Sequence, residues 1–181
     1  MKNFVSILFL SILLSCASNR PIEAYMEEEI KENNYNNVSS ILIDKKRSEM
    51  SALDIYIGKN IGGKIFSRAK SFDERDFEDL NNKYQKDTLT KYWKTSDSKF
   101  FNFSSMILEK EVWNYPLQNN DSTIYLYHLS KPLYLKRKKH AMFSLLKSKG
   151  SRRIVEDCVI IMKKEKGKWV MLEKVYATSL H

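Results

Sequence analysis

Few side chains in this chain of 181 residues combine the type and spacing needed for covalent, metal or acid–base chemistry. The two cysteines, Cys16 and Cys158, come first. Cys158 stands in Val155-Glu156-Asp157-Cys158-Val159-Ile160, where alternation places it beside Ile160 on one face of a strand. A lone cysteine in that setting reads as a small core residue rather than a nucleophile. The histidines His128, His140 and His181 form no H-x-x-x-H pair, and there is no C-x-x-C, so no metal centre is expected. Neighbouring carboxylates (Glu27/Glu28, Asp73/Asp76, Glu109/Glu111) belong to ordinary charged surface patterns, and no Gly-x-Ser-x-Gly elbow occurs. Neither catalytic residues nor a cofactor are expected. The run from Gly58 to Lys64 matches G-x-x-x-x-G-K, but Ile65 stands where a phosphate loop needs Ser or Thr to hold Mg²⁺. No clear helix start follows it, so no helix dipole would face a phosphate. The segment reads instead as a glycine-rich hairpin turn.

Cys16 has a different context. Lys2 is followed by an apolar run from Phe4 to Leu14, interrupted only by Ser6 and Ser11. At about 11 residues it is too short for a membrane-spanning helix, which needs roughly 20, and it has the length of a signal-peptide core. The run closes on Leu13-Leu14-Ser15-Cys16, which resembles the lipobox of bacterial lipoproteins. That resemblance implies a signal peptide over 1–15, a diacylglyceryl group on the Cys16 thiol and an acylated new amino terminus, palmitate being a usual chain. A thiol is the nucleophile such a step requires, and several acyl chains at about 0.8 kcal/mol per buried CH₂ would hold the protein on its membrane. Ordinary signal cleavage after Ala17 is the rival, because Ser15-Cys16-Ala17 also fits an A-x-A-like site. Ala17, rather than Asp, after the cysteine resembles the sorting pattern for the outer membrane, facing the periplasm. With Cys16 lipidated, Cys158 has no disulfide partner.

The remaining constellation is basic. Thirty-one Lys and Arg against 22 Asp and Glu give a formal charge of +9, which suits anionic partners without selecting one. In a meander, alternate turns lie at the same end of the sheet. Lys136, Arg137, Lys138 and Lys139 should therefore neighbour Lys163, Lys164, Lys166 and Lys168, eight positive charges against Glu165 alone. Lys147, Lys149, Arg152 and Arg153 would occupy the opposite end. One reading is solvated turns that keep sheet edges from pairing. The other is an anion-binding end for anionic lipid or lipid-A-type phosphate. Nucleic acid is not expected, because these turns hold no stacking aromatics between the charges.

The elements that position these residues can be read from periodicity. The lipobox resemblance implies a lipidated tether over 16–21, and 22–181 is expected to form one α+β domain. Pro21 suits a helix start, early glutamates suit its dipole, and Ile22, Tyr25, Met26 and Ile30 share a face. Asn33, Asn34, Asn36 and Asn37 break the pattern, and Val38–Asp44 reads as strand or helix continuation. Leu53, Ile55 and Ile57 alternate as in a half-buried strand, with Lys64–Ser67 its short return. Ser71-Phe72-Asp73-Glu74 has capping-box spacing, predicting a helix from Ser71 that ends between Gln85 and Trp93. The runs Ile124–Tyr127, Pro132–Leu135, Ala141–Leu146, Ile154–Met162 and Trp169–Tyr176 read as strands, with a hairpin turn at Glu165–Lys168. The expected architecture is thus N-terminal helices followed by a C-terminal antiparallel meander of about four or five strands.

The order of a helix near Asp76–Gln85, Trp93, His128-Leu129-Ser130-Lys131-Pro132-Leu133 and a closing Gly-Lys-Trp hairpin resembles small uncharacterised outer-membrane lipoproteins of Bacteroidota. The likeness spans about the last 110 residues and brings no activity with it. The closing pattern is also similar to cone-shaped domains of the nuclear-transport-factor-2 type. The functional expectation is a lipid-anchored cell-envelope protein, a binding or structural module rather than an enzyme. The alternative is a hydrolase acting on envelope polymers.

Overall fold

The computed structural model describes residues 20–32, 39–59, 64–86, 89–100, 103–114, 124–135, 139–150 and 153–179. Cys16 and the rest of 1–19, the asparagines at 33–37 and His181 lie outside them; of the expected tether over 16–21, Arg20 and Pro21 are described and belong to the first helix. Among the described residues, three α-helices, α1 (Arg20–Glu32), α2 (Glu49–Tyr56) and α3 (Glu74–Tyr84), accompany eight strands. These are β1 (Ser39–Ile43), β2 (Lys64–Phe66), β3 (Ser105–Ile107), β4 (Ile124–Leu129), β5 (Leu133–Leu135), β6 (His140–Lys149), β7 (Arg153–Glu165) and β8 (Lys168–Ser179). None of the helices among the described residues is long and apolar enough to cross a membrane.

The class is α+β, but the layout differs from helices first and sheet second. The sheet runs β2-β8-β7-β6-β4-β1-β3, with β5 also on β6. Its C-terminal part is antiparallel, whereas β1 pairs in parallel with both β3 and β4. Strands from the first 110 residues therefore extend both edges of the meander, and α2 and α3 fall between strands. Strands β4 and β5 follow the same edge of β6 end to end, Leu129 opposite Leu145 and Leu133 opposite Met142. Ser130 bridges the interval: its backbone N–H donates to Ser144 O and its Oγ accepts from Ser144 N–H. Pro132, which has no N–H for a ladder, marks the break.

The segment expected as a strand at Leu53–Ile57 is α2. Ser48 caps it by accepting from Met50 N–H, and the buried set is Ala52, Leu53, Ile55 and Tyr56 rather than alternate residues. Tyr56 is a core residue, only 2% exposed, so the apparent alternation was incidental. Gly58, at φ 78, ends this helix. Its N–H donates to Ile55 O and that of Lys59 to Asp54 O, the paired bonds of a Schellman stop. The glycine thus closes a helix, and Lys64–Phe66 pairs with Ala177–Ser179 of β8 rather than returning along residues 53–57. Likewise the cap of α3 is Asp73, which accepts from Arg75 and Asp76 N–H, two residues beyond Ser71.

Two layers of side chains result. Helix α1 lays Ile22, Tyr25 and Met26 on one face of the sheet, against Tyr127, Phe143, Cys158 and Ile160. Helices α2 and α3 cover the other face, where Leu53, Tyr56 and Leu80 meet Leu133, Met142, Val159 and Ile161. A smaller cluster of Ile41, Ile43, Ile107 and Leu126 extends the core under β1 and β3.

Candidate anion-binding site

The β7–β8 hairpin turns at Lys166 (φ 47) and Gly167 (φ 84), two consecutive positive φ angles whose twist suits a two-residue connection. Glu165 and Lys168 close it. Antiparallel register places Lys163 opposite His140, and Lys164 N–H donates to Lys139 O at 2.8 Å. Lys139 therefore meets the β7–β8 lysines at one end of the sheet; Lys136, Arg137 and Lys138 lie outside the described residues. Lys139, Lys164, Lys166 and Lys168 are exposed, while Lys163 is half-buried and pairs with Glu165 at 3.0 Å.

Aromatic rings adjoin this end. Lys164 Nζ lies 5.9 Å from the Trp169 ring centroid, and Trp169 lies 6.1 Å from Tyr134 on β5. Tyr134 in turn lines a cavity of about 360 Å³ together with Lys46, Tyr92, Trp93, Lys94, Asp97, Lys131 and Pro132. Lys46 is fixed in position by pairings on either side. Its own N–H donates to Lys91 O, Trp93 N–H donates to Asp44 O, and Arg47 N–H donates to Leu129 O. Its ammonium stands 4.3 Å from the Trp93 ring centroid. Burial, and next the charge of Lys131, pulls Lys46 down to about 8. Burial pushes the Tyr134 hydroxyl up to about 12, so the phenol is neutral at physiological pH.

The opposite end of the sheet differs from expectation. Lys149 and Arg153 pair there in register, and Arg152 lies outside the described residues. Lys147, expected among the exposed charges, is only 2% exposed. It faces inward from β6, donates to buried Glu29 on α1, and has the Tyr125 ring 4.6 Å away. Glu29 also accepts from Tyr25 Oη, and Lys174 pairs with Glu156 at 3.2 Å beside it. Burial pulls Lys174 down, yet Glu156 and Glu29 outweigh it and the net shift is upward. The helix pattern had placed Ile30 on the buried face; Ile30 is half-buried, and Glu29 occupies the i+7 position after Ile22.

Cys158 is fully buried within the α1 layer, and burial, then Glu156, pushes its thiol up to about 12. Such a thiol is not a nucleophile at neutral pH. His128 is half-buried beside Arg47; burial, then the Arg47 charge, pulls it down to about 4, so its ring is neutral. Among the described residues no three His, Cys, Asp or Glu side chains gather in a way that could hold a metal ion.

Sequence reading located the basic turns but missed the aromatic cavity. Tyr92-Trp93-Lys94 and Lys131-Pro132-Leu133-Tyr134 each pair aromatics with lysine, a visible signal. What joins them to Lys46 is the isolated Lys45–Tyr92 bridge, a long-range pairing that local periodicity does not encode. Comparison with protein families, with curated proteins and with solved structures finds no match to the chain.

Proposed function

We propose that this chain is a lipid-anchored protein of the cell envelope, a non-enzymatic binding or structural module held to the outer membrane through Cys16 and facing the periplasm. Its basic end grips anionic lipid or lipid-A-type phosphate. The observation that carries this reading is the hydrogen bond from Lys164 N–H to Lys139 O, because it brings Lys139 beside the lysines of the β7–β8 turn. Like charges so gathered repel unless counter-ions or an anionic partner answer them, and near an anionic surface each contributes about 1 kcal/mol. The signal-like N-terminus and Cys16 supply the anchor that keeps this end close to such a surface.

Two measurements test the two halves of the reading. Mass spectrometry of the mature protein should show an N-terminus at Cys16 carrying acyl chains; a product beginning at Ser18 would remove the anchor. Unlipidated protein should bind anionic vesicles in a salt-sensitive manner. Reversing Lys138, Lys139, Lys164 and Lys166 to Glu should abolish that binding while leaving thermal stability nearly unchanged, since exposed charges contribute little to folding. Absence of salt-sensitive binding in the unaltered protein would leave these lysines as solvated edges. Turnover of an envelope polymer would favour a hydrolase instead.

A further inference from the structure

We propose that the cavity between Lys46, Trp93, Lys131 and Tyr134 is a binding site for a phosphorylated sugar, distinct from the basic turns and independent of the membrane anchor. At about 360 Å³ it lies within the roughly 300–1,000 Å³ range of small-molecule sites. Its walls supply two kinds of contact. Exposed Tyr92 and half-buried Tyr134 offer ring surface, against which the C–H face of a pyranose can pack while its hydroxyls stay at the open side, and Trp93, only 4% exposed, backs Lys46 from the core. Lys46, Lys94 and Lys131 offer three ammonium groups to one carboxylate, Asp97, so the cavity carries an excess of positive charge.

The way Lys46 is held argues for a ligand. Among the described residues its ammonium has no carboxylate within salt-bridge distance, only the Trp93 ring. Such an ammonium, half removed from water, costs stability that an anion in the cavity would offset. Asp97, whose Oδ2 accepts from the backbone N–H of Lys94, and Glu49 favour the charged form from beyond salt-bridge distance, but burial and Lys131 outweigh them. The charge type selects phosphate over carboxylate. No guanidinium lines the cavity, so the planar two-point grip suited to a carboxylate is missing. Ammonium groups instead act as point charges that converge on a tetrahedral dianion. The lowered proton affinity of Lys46 fits the same picture: a bound dianion restores the charged form.

The phosphorylated sugar could be a lipid-linked head group or a free metabolite, and the same experiment separates them. Calorimetric titration of the purified full chain with glucose 1-phosphate should show saturable binding, whereas glucose and inorganic phosphate alone should each bind at least about tenfold more weakly. Lys46→Gln and Lys131→Gln should each weaken binding about tenfold or more, the scale of a lost charged hydrogen bond. Exposed Tyr92→Ala should weaken it several-fold, and Lys164→Glu/Lys166→Glu should leave it unchanged. At pH 8.5 binding should take up protons in the unaltered protein and not in Lys46→Gln, a signature that mere structural disturbance would not produce. Displacement of glucose 1-phosphate by lipid-A vesicles would identify the head group as the source; failure to displace would identify the free sugar phosphate. Equal affinity for inorganic phosphate would overturn sugar recognition. Tighter binding of uridine monophosphate would make this a base-stacking pocket, and absence of saturable binding would overturn the site altogether. The turn variant separates this site's failure from failure of the membrane-binding reading, because it alters vesicle binding alone.

Discussion

Both faces of the sheet bury apolar clusters, but the face under α1 buries a charge cluster as well. Under α2 and α3, strands β5 to β7 present Leu133, Met142, Val159 and Ile161 to Leu53, Tyr56 and Leu80, a contact of carbon against carbon. Under α1, strands β6 to β8 bring Lys147, Glu156 and Lys174 beneath Glu29, among the rings of Tyr25 and Tyr125. The apolar face depends on volume and tolerates any side chain that fills it. The ionic face depends on pairing, where each partner is affordable only while the other is present. Both faces therefore supply apolar burial, and the charge cluster under α1 also fixes how that helix seats on the sheet.

The largest expected effect comes from unpairing the ionic face. Lys147→Met should leave the Glu29 carboxylate buried without its main partner and cost about 3–5 kcal/mol in urea unfolding. Adding Glu29→Met should recover most of that loss, because two apolar side chains replace two desolvated charges. On the other face Ile161→Ala should cost about 2–5 kcal/mol through lost contact and cavity, with no second substitution of that kind to rescue it. If Lys147→Met costs less than about 1 kcal/mol, Lys174, at 4.0 Å from Glu29, takes over the pairing and the contrast between faces weakens.

A second prediction asks whether stability away from the ionic cluster is insensitive to pH. His128 on β4 lies opposite Leu146, and burial holds its folded pKa at about 4 against 6.5 in the unfolded chain. The neutral ring's contribution is complete above pH 6.5. As pH falls from 6.5 towards 4 the unfolded chain takes up a proton that the folded one refuses, and stability is lost. The loss should reach on the order of 2–3 kcal/mol near pH 4. Thermal melts of His128→Gln across this window should be flatter than those of the unaltered protein. Parallel slopes would mean that the fall arises elsewhere.

The difference between the faces also explains what was legible in the sequence. Strands β6, β7 and β8 were readable because their alternation and the Lys166-Gly167 turn are local signals. Helix α3 was found for the same reason, with its start displaced from Ser71 to Asp73 because both can cap and Asp73 accepts two N–H groups. Helix α2 was misread as a strand because five residues, Leu53 to Ile57, fit either period; the Ser48 cap and the Gly58 stop decide it. The burial of Glu29 and Lys147 was not legible, since each is paired with the other, 118 positions away in the chain. Parallel pairing of β1 with β3 and β4 is a long-range choice of the same kind, invisible to periodicity.

The hairpin at the end of both faces gives a reference free of side-chain burial. A Cβ built on Gly167 meets nothing within 4 Å, so only its φ of +84 resists substitution. Gly167→Ala should therefore cost about 1 kcal/mol through backbone strain. A loss comparable to that of Lys147→Met would show that the turn is coupled to the ionic face rather than independent of it.

The smallest effect should carry the opposite sign. Lys46 and Lys147 both stand over aromatic rings, but Lys147 has Glu29 and Lys46 has no carboxylate within reach among the described residues. Burial and the Lys131 charge lower the folded pKa of Lys46 to about 8, against 10.5 unfolded, so its charged form is the disfavoured one in the fold. Below pH 8 that penalty is complete. Between pH 8 and 10.5 the unfolded chain holds the extra proton, and stability rises with pH as the penalty is removed. Lys46→Met should thus stabilise the protein slightly at pH 7. Solvent screening of a half-exposed group and the lost attraction to Trp93 hold the gain below about 1 kcal/mol. The gap between variant and unaltered protein should narrow as pH is raised towards 10, and saturating glucose 1-phosphate should reverse it at pH 7, since only the unaltered protein gains from the ligand. A destabilised Lys46→Met without ligand would mean that the Trp93 contact outweighs the buried charge, and that the lysine is structural rather than held ready for an anion.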